Sequence, residues 1–311
     1  MCSANIEYPD TSPFFIVGAP RSGTTLVRLI LNMHSRLCVP PESHFIPELV
    51  KGLRHGWTTK DFWNAITAHA RFIEWELDPE LFRTKLSMAN ADWREVFSLV
   101  YEEYAQHVRK VRWGDKTPGY VRHLKLLNQI FPDAKIIHVI RDGRDVACSL
   151  QSVPWYEGTL ADCANYWRVN VKRGCRHGRR FDKKRYLEIR YENLVNNPEG
   201  TIREVCHFIG EDFEPAMLQY YLDAEEQMPE HSMAYHQNLM QPINQTAVRR
   251  WERDMSAADV ATFETYAGSL LRTLGYDAQT GLSAAALVKQ LQWKLNYLRK
   301  HVVRCFRVTR T

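Results

Sequence analysis

The 311-residue sequence is 45% hydrophobic and 25% charged, which suits one large α/β domain or such a domain with a helical insertion, and no low-complexity tract or solenoid repeat is visible. Its net charge of +5 is uneven, because residues 281–311 carry seven Lys/Arg and no Asp or Glu; that leaves the remainder at −2 and argues against a nucleic-acid-binding body. Seven scattered cysteines without a C-x-x-C pair favour neither disulfides nor a zinc site, residues 1–13 read as neither signal peptide nor anchor, and no apolar run nears the roughly 20 residues of a membrane span, so a cytoplasmic location is expected.

Residues 14–17, Phe-Phe-Ile-Val, read as a buried strand. It runs into Gly18-Ala19-Pro20-Arg21-Ser22-Gly23-Thr24-Thr25 and then into an apolar helix start at 26–31. Such a loop aims backbone N–H groups and the positive end of a helix dipole at one point, which makes a seat for an anion. The spacing of Gly18 and Gly23 is that of a P-loop, yet Thr24 stands where a triphosphate-binding loop places its lysine, and the positive charge has moved to Arg21. The anion should therefore differ in shape from an ordinary triphosphate. A strand-turn-helix serving packing alone has no use for the donors of Arg21, Ser22, Thr24 and Thr25.

This stretch is similar to the 5′-phosphosulfate loop of sulfotransferases, which use 3′-phosphoadenosine 5′-phosphosulfate (PAPS) as donor. The resemblance implies that Arg21, Ser22, Gly23, Thr24 and Thr25 hold the donor's phosphosulfate.

Residues 37–39 form a short second strand, ended by Pro40-Pro41. Glu42 then falls past the strand end, where open α/β sheets bind ligands, and suits a general base for an acceptor hydroxyl; an exposed loop acid or a helix cap is the plain alternative. The segment resembles that of the tyrosylprotein-type sulfotransferases, in which the base glutamate is followed two residues later by arginine. Here His44 takes the arginine's place. Residues 51–112 read as a mostly helical insertion, with helix starts at Thr58-Thr59, Asp78-Pro79 and Asp92-Trp93. Its aromatics, Trp57, Phe62, Trp63, Phe72, Trp75 and Trp93, suit core packing, with a lid over an acceptor as the alternative.

Residues 111–113 suit a strand leading into a charged turn. Lys116 in that turn is either a surface cation or an ammonium that stabilises charge on a transferring group; the similarity of Asp115-Lys116-Thr117-Pro118 to a sulfotransferase turn implies the second role. A helix over 119–131 and a buried strand over 134–140 follow. Arg141 at the strand end and Ser149 on the next helix suit one phosphate between them, and their spacing resembles the family's 3′-phosphate motif. Arg144 and Asp145 read as a local ion pair outside the site. After a helix over 159–180 and a strand over 185–190, Tyr191 serves either packing or, by the resemblance, the 3′-phosphate or adenine. Residues 223–244 read as loop. In similar enzymes a basic residue before a tryptophan closes over the nucleotide, which points to Arg249 or Arg250 ahead of Trp251. A helix over 256–274 precedes the basic tail, which reads as a capping helix or as a surface for peripheral contact with an anionic membrane.

The expected architecture is a three-layer, P-loop-like α/β fold with a central parallel sheet, one domain over 1–280 with its insertion at 51–112, and a basic amphipathic helix or tail over 281–311. The resemblance implies in-line transfer of a sulfuryl group from PAPS to an acceptor hydroxyl on a phenol or tyrosine, a small alcohol or a carbohydrate. Glu42 is the expected base, Lys116 and Arg21 the charge-stabilising groups, and no metal is expected. A P-loop kinase and a non-catalytic nucleotide-binding protein are the alternatives, and oligomeric state is not legible.

Overall fold

The computed structural model describes residues 11–89, 92–278, 288 and 291–293. Contacts divide the chain into two compact units, one of Met1–Arg141 with Arg173–Val248 and the other of Asp142–Lys172 with Arg249–Thr311. The first unit holds five strands: β1 (Phe14–Gly18), β2 (Leu37–Cys38), β3 (Arg112–Lys116), β4 (Lys135–Ile140) and β5 (Tyr186–Arg190). They form one parallel sheet in the order β2-β3-β1-β4-β5.

β1 shows why the fold has three layers. All five of its residues are buried, as expected of a parallel strand covered on both faces. Phe15 and Val17 enter an apolar cluster built from residues of the helices between 46 and 131. Phe14 and Ile16 enter a second cluster, with Leu26, Leu29 and Ile30 from the helix Thr24–Asn32 and Ile202, Val205 and Ile209 from the helix Pro198–Ile209. Alternation along one strand thus divides the apolar residues into two cores.

Between β2 and β3 lie the helices Ile46–Arg54, Thr59–Thr67, Ala70–Ile73, Pro79–Met88 and Trp93–His107. Three of them start where capping chemistry predicts: Thr58 accepts from the Asp61 amide in a capping box, Asp78 accepts from the Glu80 amide, and Asp92 from the amides of Arg94 and Glu95. Their aromatics are core. Phe62, Phe72 and Trp75 are buried, and Trp57, Trp63 and Trp93 pack against the same cluster. Tyr101 stacks on Trp113 with centroids 4.3 Å apart, Phe45 lies over Phe97 at 6.4 Å, and Phe62 meets Phe97 edge-on at 5.3 Å. These contacts tie the helices to β3 and the chain leaving β2.

Local structure departs from the sequence reading at three places in this unit. β3 runs on to Lys116 because Phe14, Phe15 and Ile16 of β1 pair with Gly114, Asp115 and Lys116, so the charged residues expected in a turn are strand. The helix expected over 119–131 is a 3-10 segment, Pro118–Arg122, and a short α-helix, Leu124–Ile130. Tyr120 is held there by hydrogen bonds from its hydroxyl to Ser43 and from the Ile46 amide, which favours the tighter turn. The loop over 223–244 contains a helical turn at Glu230–Met233 and a 3-10 turn at Gln237–Met240.

In the second unit, the helix Gly143–Gln151 is capped by Asp142, and the helix Ala257–Thr273 by Ser256 in a capping box with Asp259. Arg144 and Asp145 do not pair with each other. The Arg144 guanidinium binds Asp142 at 2.8 Å and Glu264 at 3.1 Å and lies 3.7 Å from the Trp251 ring centroid, whereas Asp145 accepts from the backbone amides of Arg249 and Trp251. The expected amphipathic tail over 281–311 falls almost entirely outside the described residues. Among those described, no helix is long and apolar enough to cross a membrane.

Candidate active site

At the end of β1 the chain turns through Arg21, with φ 70°, and Gly23, with φ 93°, before entering the helix Thr24–Asn32. Glycine is required at 23 on two counts: its φ is left-handed, and a Cβ there would lie 2.4 Å from the Tyr191 ring. No side chain caps this helix, and no acid stands in its first turn. Its leading amides therefore face the loop with their dipole uncompensated by a protein carboxylate. Ser22 is fully buried and its Oγ has no hydrogen-bond partner. A buried, unsatisfied hydroxyl beside an uncapped helix start fits an anion better than it fits packing.

Glu42 and Lys116 meet beside this loop. Lys116 donates to Glu42 Oε1 at 2.5 Å and to Thr25 Oγ1 at 3.2 Å, so one ammonium joins the carboxylate to the loop helix. The neighbouring residues hold them in place. Ser43 donates its amide to Thr117 Oγ1 at 3.1 Å, and its hydroxyl binds Tyr120 Oη at 2.7 Å and Thr117 Oγ1 at 3.2 Å. Each such bond contributes about 1 kcal/mol net, and together they fix the residues next in sequence to Glu42 and Lys116. Arg28, also buried, donates to the carbonyls of Val39, Pro40 and Gln227 and anchors the chain just before Glu42.

Electrostatics follow from this geometry. Burial alone would raise the Glu42 carboxyl, but Lys116 and the hydrogen bond from His44 outweigh it and hold the group well below the usual carboxylate range. Glu42 is thus an anion, with 33% of its side chain open. Lys116 is pulled below its ordinary value by burial, a shift that Glu42 opposes and Arg28 adds to. His44, at φ 54°, bonds its Nε2 to the other Glu42 oxygen at 2.7 Å. Arg21 donates to the Tyr235 carbonyl at 2.8 Å and to His236 Nε2 at 3.4 Å. Burial, then the charges of Arg21 and Lys116, lower His236 to about 3, so it is neutral and able to accept.

The family model described as sulfotransferase family matches residues 13–215. The chain belongs to the sulfotransferase family. Protein-tyrosine sulfotransferase A of Caenorhabditis elegans is 27% identical over 278 residues, covering 87% of this chain and 69% of that protein. An omega-hydroxy-beta-dihydromenaquinone-9 sulfotransferase of Mycobacterium tuberculosis is 29% identical over 214 residues, covering 63% of this chain and 52% of that protein. The solved sulfotransferase domain of the Synechococcus PCC 7002 olefin synthase superposes with a TM-score of 0.65 at 25% identity, covering 90% of this chain and all of that domain. The protein is a sulfotransferase, an enzyme that transfers a sulfuryl group.

Within the first unit of this sulfotransferase, the residues singled out by sequence are brought into one neighbourhood. Arg141, at the end of β4, donates to the Arg21 carbonyl at 3.2 Å and to the Ala247 carbonyl at 2.5 Å, and its guanidinium lies 4.4 Å from the Tyr191 ring centroid. Ser149, Arg249 and Arg250 belong to the second unit. Ser149 is buried on the helix Gly143–Gln151; Arg249 binds Glu252 at 2.6 Å and is largely exposed, and Arg250 binds Asp254. Sequence reading missed His236 and the Ser43–Thr117–Tyr120 clamp. The clamp residues lie next to Glu42 and Lys116, a signal that was present, but His236 sits in a loop with no motif around it.

Proposed function

We propose that the donor's 5′-phosphosulfate occupies the loop of Arg21, Ser22, Gly23, Thr24 and Thr25, with Glu42 as the base for the acceptor hydroxyl. The observation that carries this reading is the Glu42–Lys116–Thr25 chain, in which one ammonium is within hydrogen-bond reach of both the carboxylate and the loop helix. PAPS supplies an activated sulfuryl group on a phosphate that leaves readily. The protein therefore has to position and neutralise charge rather than supply covalent chemistry.

Glu42 takes the acceptor's proton as its oxygen forms the bond to sulfur. The bond from sulfur to the bridging oxygen breaks, and 3′-phosphoadenosine 5′-phosphate (PAP) departs. Lys116 and Arg21 offset the charge that grows on the leaving oxygen and on the sulfuryl group. An incoming phosphosulfate gives Lys116 a second anion to serve. Its hold on Glu42 then weakens and the carboxylate becomes more basic. Arg141 and Ser149 are the proposed contacts for the 3′-phosphate, by the resemblance of their spacing; Tyr191 is one for the 3′-phosphate or adenine, and Arg249 or Arg250, ahead of Trp251, for the nucleotide by resemblance to similar enzymes.

For the acceptor, a phenol or peptide tyrosine is the first class to try, since the Glu42 segment is similar to that of the tyrosylprotein-type enzymes. His44, held on Glu42, replaces the arginine of that pattern, which keeps alcohols and carbohydrates in the screen. The test is transfer of labelled sulfuryl from PAPS to members of each class. Glu42→Gln should lower kcat by about 10²–10⁴ while donor binding persists. Undiminished turnover in that variant would refute the role given to Glu42.

A further inference from the structure

Elsewhere in the first unit, three groups with no part in sulfuryl transfer come together. His138 in β4 pairs in register with Glu188 in β5, so both side chains leave the same face of the sheet. Cys175 lies in the last turn of the helix Leu160–Gly178. One imidazole nitrogen, the Cys175 Sγ and one Glu188 carboxylate oxygen all lie within 4.8 Å of one another.

Hydrogen bonding decides the state of the histidine. A carboxylate only accepts, so Tyr186 Oη donates to Glu188 Oε1, at 3.0 Å, and its single proton is committed. The 2.6 Å contact between Tyr186 Oη and His138 Nδ1 then runs from an Nδ1–H to the tyrosine oxygen. Nε2 is left with its lone pair, and it is buried with no hydrogen-bond partner. Such an atom is costly unless something binds it. Metal-ligating histidines have this form, with the other nitrogen donating to an oriented oxygen relay. Gly174 makes the close approach of helix and ring feasible, because a Cβ there would lie 2.3 Å from His138 Cε1 and 2.8 Å from Nε2.

We propose that His138, Cys175 and Glu188 bind a zinc-like divalent cation, with three protein ligands and a fourth position open to water. A nitrogen, a thiolate and a carboxylate form a donor set that suits Zn²⁺ and its spectroscopic stand-in Co²⁺. Bond lengths of about 2.0–2.3 Å place tetrahedral ligands about 3.3–3.7 Å apart, so the cluster closes by about 1 Å on binding. The Cys175 proton is released to solvent as the thiolate binds. Glu188 is exposed and Cys175 partly so, which leaves the cation a route in. Binding there fastens the last turn of the helix to β4 and β5.

The test uses the full chain, reduced and stripped with chelator, then titrated with Co²⁺ and back-titrated with Zn²⁺. One equivalent of Co²⁺ should give a thiolate-to-cobalt charge-transfer band and visible d–d bands, both bleached by Zn²⁺. Cys175→Ser should abolish the charge-transfer band. Tyr186→Phe, which cuts the oxygen relay, should weaken Co²⁺ binding by about ten- to a hundredfold, and Glu188→Gln, at an exposed position, by at least as much. Absence of the band in the unaltered protein, its persistence in Cys175→Ser, or unchanged affinity in Glu188→Gln with circular dichroism intact would each overturn the proposal.

Discussion

The helices between β2 and β3 and the loops at the ends of β1 and β2 lie side by side in the first unit and are built on opposite rules. In the helices starting at Thr59, Pro79 and Trp93 the caps are satisfied, and around them aromatics pack and stack, so that local preference agrees with the final structure. In the loops, Arg21 and His44 take left-handed backbone, Ser22 Oγ is buried without a hydrogen-bond partner, and a buried ammonium is held on a part-exposed carboxylate. Residue 45 marks the change: His44 is strained and binds Glu42, while Phe45 beside it is buried among Trp75, Phe97 and Tyr101. Left-handed backbone and a buried unsatisfied hydroxyl beside a carboxylate–ammonium pair fit loops that bind something else.

Substitutions on each side should separate the two rules. The largest stability loss is expected from Phe97→Ala, which empties the centre of the aromatic cluster and should cost about 3–5 kcal/mol in denaturant unfolding, with kcat little changed where the protein remains folded. Lys116→Met should do the reverse. It removes a buried charge that burial already disfavours, so its stability change should be smaller than that of Phe97→Ala, while kcat should fall by about 10²–10³ in the transfer assay. If Lys116→Met lost stability and kept its turnover, the ammonium would be structural.

A third effect concerns pH. His236 has its folded value lowered to about 3 from 6.5, so between those values the unfolded chain binds the extra proton and the folded one does not. Stability from this group is complete above the unfolded value and is lost as pH falls from about 6.5 towards 3. Urea midpoints measured across that window should drop less steeply in His236→Asn than in the unaltered protein. Equal slopes would place His236 in water rather than against Arg21.

Much of this was legible in the sequence, for physical reasons that differ by element. Residues 14–32 were readable because a four-residue apolar run, two glycines and an apolar helix start are all local signals. The helix starts at Thr58, Asp78 and Asp92 were readable because caps are short-range chemistry. The partnership of Glu42 and Lys116 was not, since it depends on the register of β3 against β1. Arg144 and Asp145 were misassigned to each other because Arg144 turns to Asp142 and to Glu264, and Asp145 to the amides of Arg249 and Trp251, partners that apart from Asp142 lie more than a hundred residues along the chain. The His138–Cys175–Glu188 cluster has no spacing motif at all, being assembled from two strands and a helix.

The most direct test of the account is calorimetric titration with PAP and, separately, with ADP, on the unaltered protein and on Arg141→Ala. The account predicts that PAP binds well ahead of ADP and that Arg141→Ala removes most of the difference, a loss of about ten- to a hundredfold for one charged phosphate contact. Equal binding of the two nucleotides, or a preference for PAP that survives in Arg141→Ala, would contradict the assignment of Arg141 to the 3′-phosphate and of this loop to PAPS.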